Sequence, residues 1–145
     1  MPVNPFHIAV QVRNIEEARH FYGQLLGLPE GRSAEDWIDF NLYGHQFVVH
    51  LNKNLGPTGS IQNISNGVDD QAVPIPHCGV VLNLQQWDEL RTTVEGFVTE
   101  FVIAPYVRFE GQPGEQRTMF FCDPSGNALE FKAFKNIEAQ LFATD

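Results

Sequence analysis

His7, His50, His77 and Glu130 each lie in a strand-like stretch of the sequence. Strand side chains alternate between two faces, and in each stretch these residues occupy the less apolar face. Imidazoles and a carboxylate form the usual ligand set for a divalent metal ion. A metal ion would also offset the cost of burying Glu130. For each residue taken alone, a hydrogen-bonded or solvated side chain is the alternative interpretation.

The elements that must position these residues occur twice along the chain. Residues 4–54 and 75–135 both carry the pattern β-α-β-β-β, read from apolar alternation, helical spacing and turn residues. The polar stretch 55–74 between them predicts a linker or an active-site loop, and 136–145 form a tail with a short helix. The sequence thus predicts two modules in a single domain of 145 residues.

The repeat places the four candidate ligands at matching positions. His7 and His77 begin the first strand of each module, whereas His50 and Glu130 lie in the last strand of each. If the modules pair about a pseudo-twofold axis, the four side chains converge on one cavity. A shared metal site is therefore the prediction.

Composition excludes several classes of partner. Eighteen acidic against nine basic residues give a net charge of −9, which lacks the basic surface that binds nucleic acid or anionic membranes. No apolar run approaches the length of a membrane span, and the N-terminus has no signal-peptide pattern. We expect a cytoplasmic protein that binds a small molecule.

Four stretches resemble the vicinal oxygen chelate superfamily, which includes glyoxalase I, extradiol dioxygenases and bleomycin resistance proteins. They are "FHIAVQVRNIEEARHFYGQLLGL", "FVVHLN", "PHCGVVL" and "FFCDPSGNALEFK", of which "DPSGNALEF" is the most specific. The resemblance covers nearly the whole chain and is strongest to small two-module relatives of extradiol dioxygenases. It implies an α+β fold of two paired βαβββ modules, with curved mixed sheets that enclose a metal and helices on the outer face.

The same resemblance implies roles for the four candidates. In extradiol dioxygenases two histidines and one glutamate hold the iron, which matches His7, His77 and Glu130. His50 would then be an acid–base residue, or a fourth metal ligand. Glyoxalase I usually has an acidic residue at the place of His50, so the histidine disfavours glyoxalase chemistry.

Three functions remain open from the sequence. The first is an extradiol-dioxygenase-like oxidoreductase that uses Fe(II) and a substrate with neighbouring oxygen atoms. The second is a glyoxalase-like lyase, isomerase or epimerase that uses Zn, Ni, Co or Mn as a Lewis acid. The third is a drug-binding protein without catalysis. The resemblance also implies a homodimer.

Two residues ahead of the final hairpin are candidates for substrate binding. Tyr106 and Arg108 lie in "APYVRFEGQPGEQR", a predicted loop. Arg108 could bind a substrate carboxylate with two parallel hydrogen bonds. A solvated loop arginine is the alternative.

Overall fold

The structure, a computed structural model, describes residues 3–68 and 70–144. These residues divide into two compact units. The first unit takes in the residues up to Gln62 together with Asp123–Asn127, and the second takes in the rest. Mixed sheets with few helices confirm the predicted α+β class. No helix in the described part of the chain is long and apolar enough to cross a membrane.

The first unit contains a four-stranded sheet, a helical segment that follows its first strand, and the short 3-10 helix Lys53–Leu55. Its strands are β1 (His7–Val12), β2 (Glu30–Ala34), β3 (Trp37–Leu42) and β4 (His45–Leu51). Their order in the sheet is β1-β4-β3-β2, with β1 parallel to β4 and the other pairs antiparallel. The helix α1 (Ile15–Ala18) continues as the π-helical segment Arg19–Leu25.

The helix of the first unit packs on the apolar face of this sheet, as the alternation predicts. Asn14 caps the helix by accepting a hydrogen bond from the backbone N–H of Glu17. Tyr22 is buried, and its ring centroid lies 5.7 Å from that of Phe40 and 5.0 Å from that of Phe47. The face that carries His7 and His50 points the other way, because both residues are on the opposite parity of their strands.

The second unit begins with a hairpin of β5 (Ile64–Val68) and β6 (Gln71–Ile75). These strands lie in the segment predicted to be a linker or loop, so that prediction was wrong for this part of it. The elements that follow are β7 (His77–Cys78), β8 (Val81–Leu82), α2 (Leu84–Glu95), β9 (Ile103–Arg108), β10 (Gln116–Cys122), β11 (Ala128–Ala133) and α3 (Ile137–Gln140). The strands among them form a sheet of order β7-β11-β10-β9, in which β8 also pairs with β11.

Apolar contacts hold the hairpin within the second unit. Val73 of β6 packs in a buried cluster with Ile103, Phe120 and Ala128, and Val68 of β5 lies against the same cluster. Apolar burial of this kind offsets the entropy of ordering the segment. In the sequence, the signal for this hairpin was the presence of apolar residues such as Val68 and Val73 in an otherwise polar stretch.

The turn between β10 and β11 is held by a buried carboxylate. Asp123 accepts hydrogen bonds from the hydroxyl of Tyr22 at 2.6 Å, from the backbone N–H groups of Ser125 and Asn127, and from the side-chain amide of Asn127. Burial raises the pKa of the Asp123 carboxyl, and the hydrogen bonds oppose this shift by favouring the charged form. This hydrogen-bond network holds the turn, which belongs to the first unit, against Tyr22.

The substitution Asp123→Asn should lower the free energy of unfolding near neutral pH by about 1–3 kcal/mol. An amide can accept at only one of the two positions, and all four neighbouring groups donate in the structure. Urea denaturation measures the loss. Tyr22→Phe is the matched control and should cost less, because it removes one donor and leaves the carboxylate in place.

The pH dependence of the same comparison can contradict this account. Because the pKa of Asp123 is raised in the folded state, there is a pH interval between its ordinary value and its raised value. In this interval the folded state retains a proton that the unfolded chain has released. The stability from this group is therefore complete below the ordinary carboxyl range and is lost as pH rises through the raised pKa. The difference in the free energy of unfolding between wild type and Asp123→Asn should therefore shrink as pH rises through this interval. A difference that grows with pH would contradict the raised pKa of Asp123.

Candidate metal centre

One face of the sheet in the second unit brings together His77, Thr118 and Glu130. The register pairs Ala128 with His77 in the parallel pair of β11 and β7, and Phe120 with Glu130 in the antiparallel pair of β10 and β11. Directly paired residues share a face, and so do residues two positions apart. These side chains therefore project on the same side.

Glu130 is buried, with 7% of its side chain exposed. Its Oε2 accepts a hydrogen bond of 2.6 Å from the hydroxyl of Thr118, which is fully buried. The guanidinium Nη1 of Arg108 lies 3.9 Å from the same oxygen, and Arg108 is also buried. A hydroxyl donor and a nearby cation offset the desolvation of the carboxylate. Both contacts are at Oε2, so they leave Oε1 to face another partner.

That partner is the imidazole of His77. Its Nδ1 lies 2.7 Å from the carbonyl oxygen of Pro74, and its Nε2 lies 3.5 Å from Oε1 of Glu130. A carbonyl only accepts hydrogen bonds, so Nδ1 carries a proton and the neutral imidazole has its lone pair at Nε2. The ring also packs edge-on against Phe120, with centroids 4.7 Å apart.

The spacing of these two atoms fits ligands of one metal ion. A charge-assisted N–H···O hydrogen bond is about 2.7–2.9 Å long, which is shorter than the 3.5 Å between Nε2 and Oε1. Two ligands that each lie about 2.1 Å from an ion, at angles between 90° and 110°, are roughly 3.0–3.4 Å apart, and the observed 3.5 Å lies just above this range. A hydrogen bond from the distal nitrogen to a carbonyl is the usual partner of a metal-binding histidine. The donor set therefore fits a divalent metal.

Gly79 allows the backbone to approach the glutamate closely. A Cβ atom at this position would lie 1.6 Å from the carbonyl oxygen of Glu130, a distance that no side chain can occupy. The first strand of this module is interrupted here, between β7 and β8. A glycine in this strand therefore marks a close approach of two backbones.

In the first unit, the register separates His7 from His50. His7 is paired with Gln46, and His50 is paired with Gln11 and Trp37. Both histidines are exposed and on the same face. His50 lies four residues beyond Gln46 along β4, and Gln46 is the partner of His7. This corresponds to a separation of roughly 13 Å along the strand.

The expected equivalence of His50 and Glu130 is wrong in this register. Glu130 lies two residues beyond the partner of His77, and the residue two beyond the partner of His7 is Val48. The strand assignment was correct, but the position along the strand was not, because apolar alternation gives the face and leaves a shift of two residues undetermined.

Tyr106 and Arg108 lie within β9, although the sequence predicted a loop. Tyr106 pairs with Thr118 and Arg108 pairs with Gln116, so both are on the face that carries Glu130. Among the described residues no group of three or more His, Cys, Asp or Glu side chains forms a cation site by itself. The convergence of His7 with His77 and Glu130 stays a prediction.

Thr118 and the carbonyl of Pro74 are two parts of the site that were not predicted from the sequence. Thr118 directly precedes the apolar run Met119–Phe121 in β10, and pairing across the turn at Asp123–Asn127 would have placed it on the face of Glu130. Pro74 contributes a backbone atom, which leaves no mark on residue type. Its role follows from the position of β6 ahead of β7.

Comparison with known proteins agrees with this fold. A crystal structure of a glyoxalase/bleomycin resistance protein/dioxygenase from Alicyclobacillus acidocaldarius is 28% identical, has a TM-score of 0.73, and the match covers 94% of this chain and 95% of that one. A glyoxalase/dioxygenase from Nostoc punctiforme is 21% identical, with a TM-score of 0.63 and 88% of each chain covered. The fosfomycin resistance protein FosX from Listeria monocytogenes, in complex with Mn(II) and sulfate, is 16% identical, with a TM-score of 0.60 and coverage of 97% and 99%.

The family assignment comes from a comparison with sequence models of protein families. No curated protein sequence matches the chain at a significant level. The model of the Glyoxalase/Bleomycin resistance protein/Dioxygenase superfamily matches residues 5–131, which is most of the 145-residue chain. The chain therefore belongs to the Glyoxalase/Bleomycin resistance protein/Dioxygenase superfamily.

Proposed function

We propose that this protein is a metal-dependent oxidoreductase of the extradiol-dioxygenase type, with His7, His77 and Glu130 as metal ligands. The observation that carries the proposal is the pair formed by Nε2 of His77 and Oε1 of Glu130, two lone-pair donors 3.5 Å apart. The tautomer of His77 is fixed by Pro74, and the second oxygen of Glu130 is engaged by Thr118.

Two histidines and one carboxylate are the ligand set of non-haem Fe(II) oxygenases, and we favour Fe(II) for this reason. When bound, such an ion supplies Lewis acidity and open positions for a substrate with neighbouring oxygen atoms. The Mn(II) in the FosX complex shows that a protein with this fold can hold a divalent ion. Zn, Ni or Co would suit the same donors.

The protein's own residues have distinct tasks in this proposal. Thr118 and Arg108 orient Glu130 through Oε2. Tyr106, which is 37% exposed on the same face, contacts the substrate, and the charge of Arg108 favours an anionic group there. His50, on the first unit, moves a proton from a hydroxyl of the substrate. Since the register separates it from His7, we assign it no role as a metal ligand.

The metal content of purified variants tests the ligand assignment. Wild-type protein purified without added metal, or reconstituted with Fe(II) under anaerobic conditions, should hold about one ion per site. His77→Ala should lose the ion, because it removes one of the two donors that the sheet brings together. Elemental analysis after desalting gives the ratio.

His50→Ala is the matched control for this measurement. This variant removes a histidine that also lies on the less apolar face of a strand. It should leave the metal content unchanged and lower the turnover rate. Metal-free wild type after reconstitution would refute the proposed function. Loss of metal in His50→Ala would refute the separation of roles.

Thr118→Val should weaken metal binding about 10- to 100-fold, in the range seen when a hydrogen-bond partner of a ligand is removed. The valine keeps the shape of the side chain and leaves Oε2 of Glu130 without its hydroxyl donor. Thr118→Ser keeps the hydroxyl and should bind as wild type does. Competition with a chelator measures the affinities, and equal affinity in the valine variant would contradict the role of Thr118.

Oxygen consumption separates this function from its alternatives. With Fe(II) bound and catechol as the probe, the protein should consume O₂ in proportion to ring cleavage, which an oxygen electrode and ultraviolet absorption follow together. Turnover of a vicinal-oxygen substrate with Zn, Ni or Co under anaerobic conditions would instead assign the protein to the lyase and isomerase group.

A further inference from the structure

The exposed face of the first unit contains a hydrogen-bonded row that ends at His7. Gln46 on β4 is paired directly with His7 on β1. The side chain of Asp39 on β3 accepts a hydrogen bond of 3.2 Å from Nε2 of Gln46. Oε1 of the same amide lies 2.7 Å from Nδ1 of His7. Three neighbouring strands therefore contribute one side chain each to a continuous row.

The chemistry of this row fixes the orientation of each member. An ionised carboxylate only accepts hydrogen bonds, so the group of Gln46 that faces Asp39 must be its NH₂. The amide oxygen then faces His7, and it also only accepts. Nδ1 of His7 must therefore be the donor, and the neutral ring has its lone pair at Nε2.

We infer that Gln46, oriented by Asp39, is the positioning residue that holds His7 in the Nδ1–H form and presents Nε2 to a metal ion. The inference rests on the proposed function for the identity of the ligand. The geometry repeats the arrangement at His77, where a different acceptor, the carbonyl of Pro74, holds the same nitrogen. An acceptor behind a histidine ligand, such as a carboxylate or a carbonyl oxygen, fixes its ring and raises its basicity.

His45 provides an internal contrast on the same strand as Gln46. Its Nδ1 lies 2.7 Å from the backbone nitrogen of Phe6. A backbone N–H only donates, so Nδ1 of His45 is the acceptor and its proton is on Nε2. The structure thus assigns opposite tautomers to His7 and His45.

Nitrogen-15 NMR of the imidazole rings in the metal-free full-length protein tests the inference. At about pH 8.5, where ordinary imidazoles are neutral, His7 and His77 should show the Nδ1–H pattern and His45 the Nε2–H pattern. In Gln46→Ala, His7 should shift towards the Nε2–H form, while His77 and His45 stay unchanged. Gln46→Glu keeps an acceptor at this position and should keep the Nδ1–H form. His7→Asn assigns the signals.

Titration with Mn²⁺, followed by the electron paramagnetic resonance signal of the free ion, provides a second measurement. Gln46→Ala should bind Mn²⁺ about 10-fold more weakly than wild type, because His7 then offers Nε2 for only part of the time. Gln46→Glu should not bind more weakly than wild type.

The two proposals fail in different ways. An Nε2–H form of His7 in wild type, or an unchanged tautomer in Gln46→Ala, overturns the role of Gln46 whether or not metal binds. Wild type that shows the expected tautomers and binds no Mn²⁺ contradicts the proposed function, and the role of Gln46 in fixing the ring stands.

Discussion

The hydrogen bond from Nδ1 of His77 to the carbonyl of Pro74 is the interaction on which the candidate centre depends. It fixes which nitrogen of the ring carries the proton, and therefore what Glu130 faces. The hairpin of β5 and β6 supplies that carbonyl, and the hairpin is held by the apolar contacts of Val73. The local chemistry of the site thus depends on packing at a segment that contains no ligand.

The buried carboxylate has more than one source of stability. Thr118 and Arg108 both contact Oε2 of Glu130, so burial of this charge does not by itself require a metal ion. What these contacts leave open is the other oxygen, which lies opposite a nitrogen lone pair. Two electron-rich atoms 3.5 Å apart are stabilised by a cation between them, and the proposed metal site rests on this pair.

The sequence predicted the face of each candidate ligand correctly, because apolar alternation in a strand has a period of two. The helix that follows the first strand of each module was predicted for an equally local reason, the helical spacing of its apolar residues. Positions along the strands were less accessible, since a shift of two residues keeps every side chain on its face. His50 was therefore matched to Glu130 when the register matches Val48. The role of a backbone atom, such as the carbonyl oxygen of Pro74, could not be predicted, because every residue type carries the same backbone carbonyl.

Anomalous X-ray diffraction at the absorption edge of the bound metal tests the central claim most directly. Crystals of the wild-type protein loaded with Fe(II) or Mn(II) should show one strong peak about 2.1 Å from both Nε2 of His77 and Oε1 of Glu130. A third ligand at Nε2 of His7 would complete the proposed set. A loaded crystal with no peak at this pair, or with its metal on other histidines, would contradict the account.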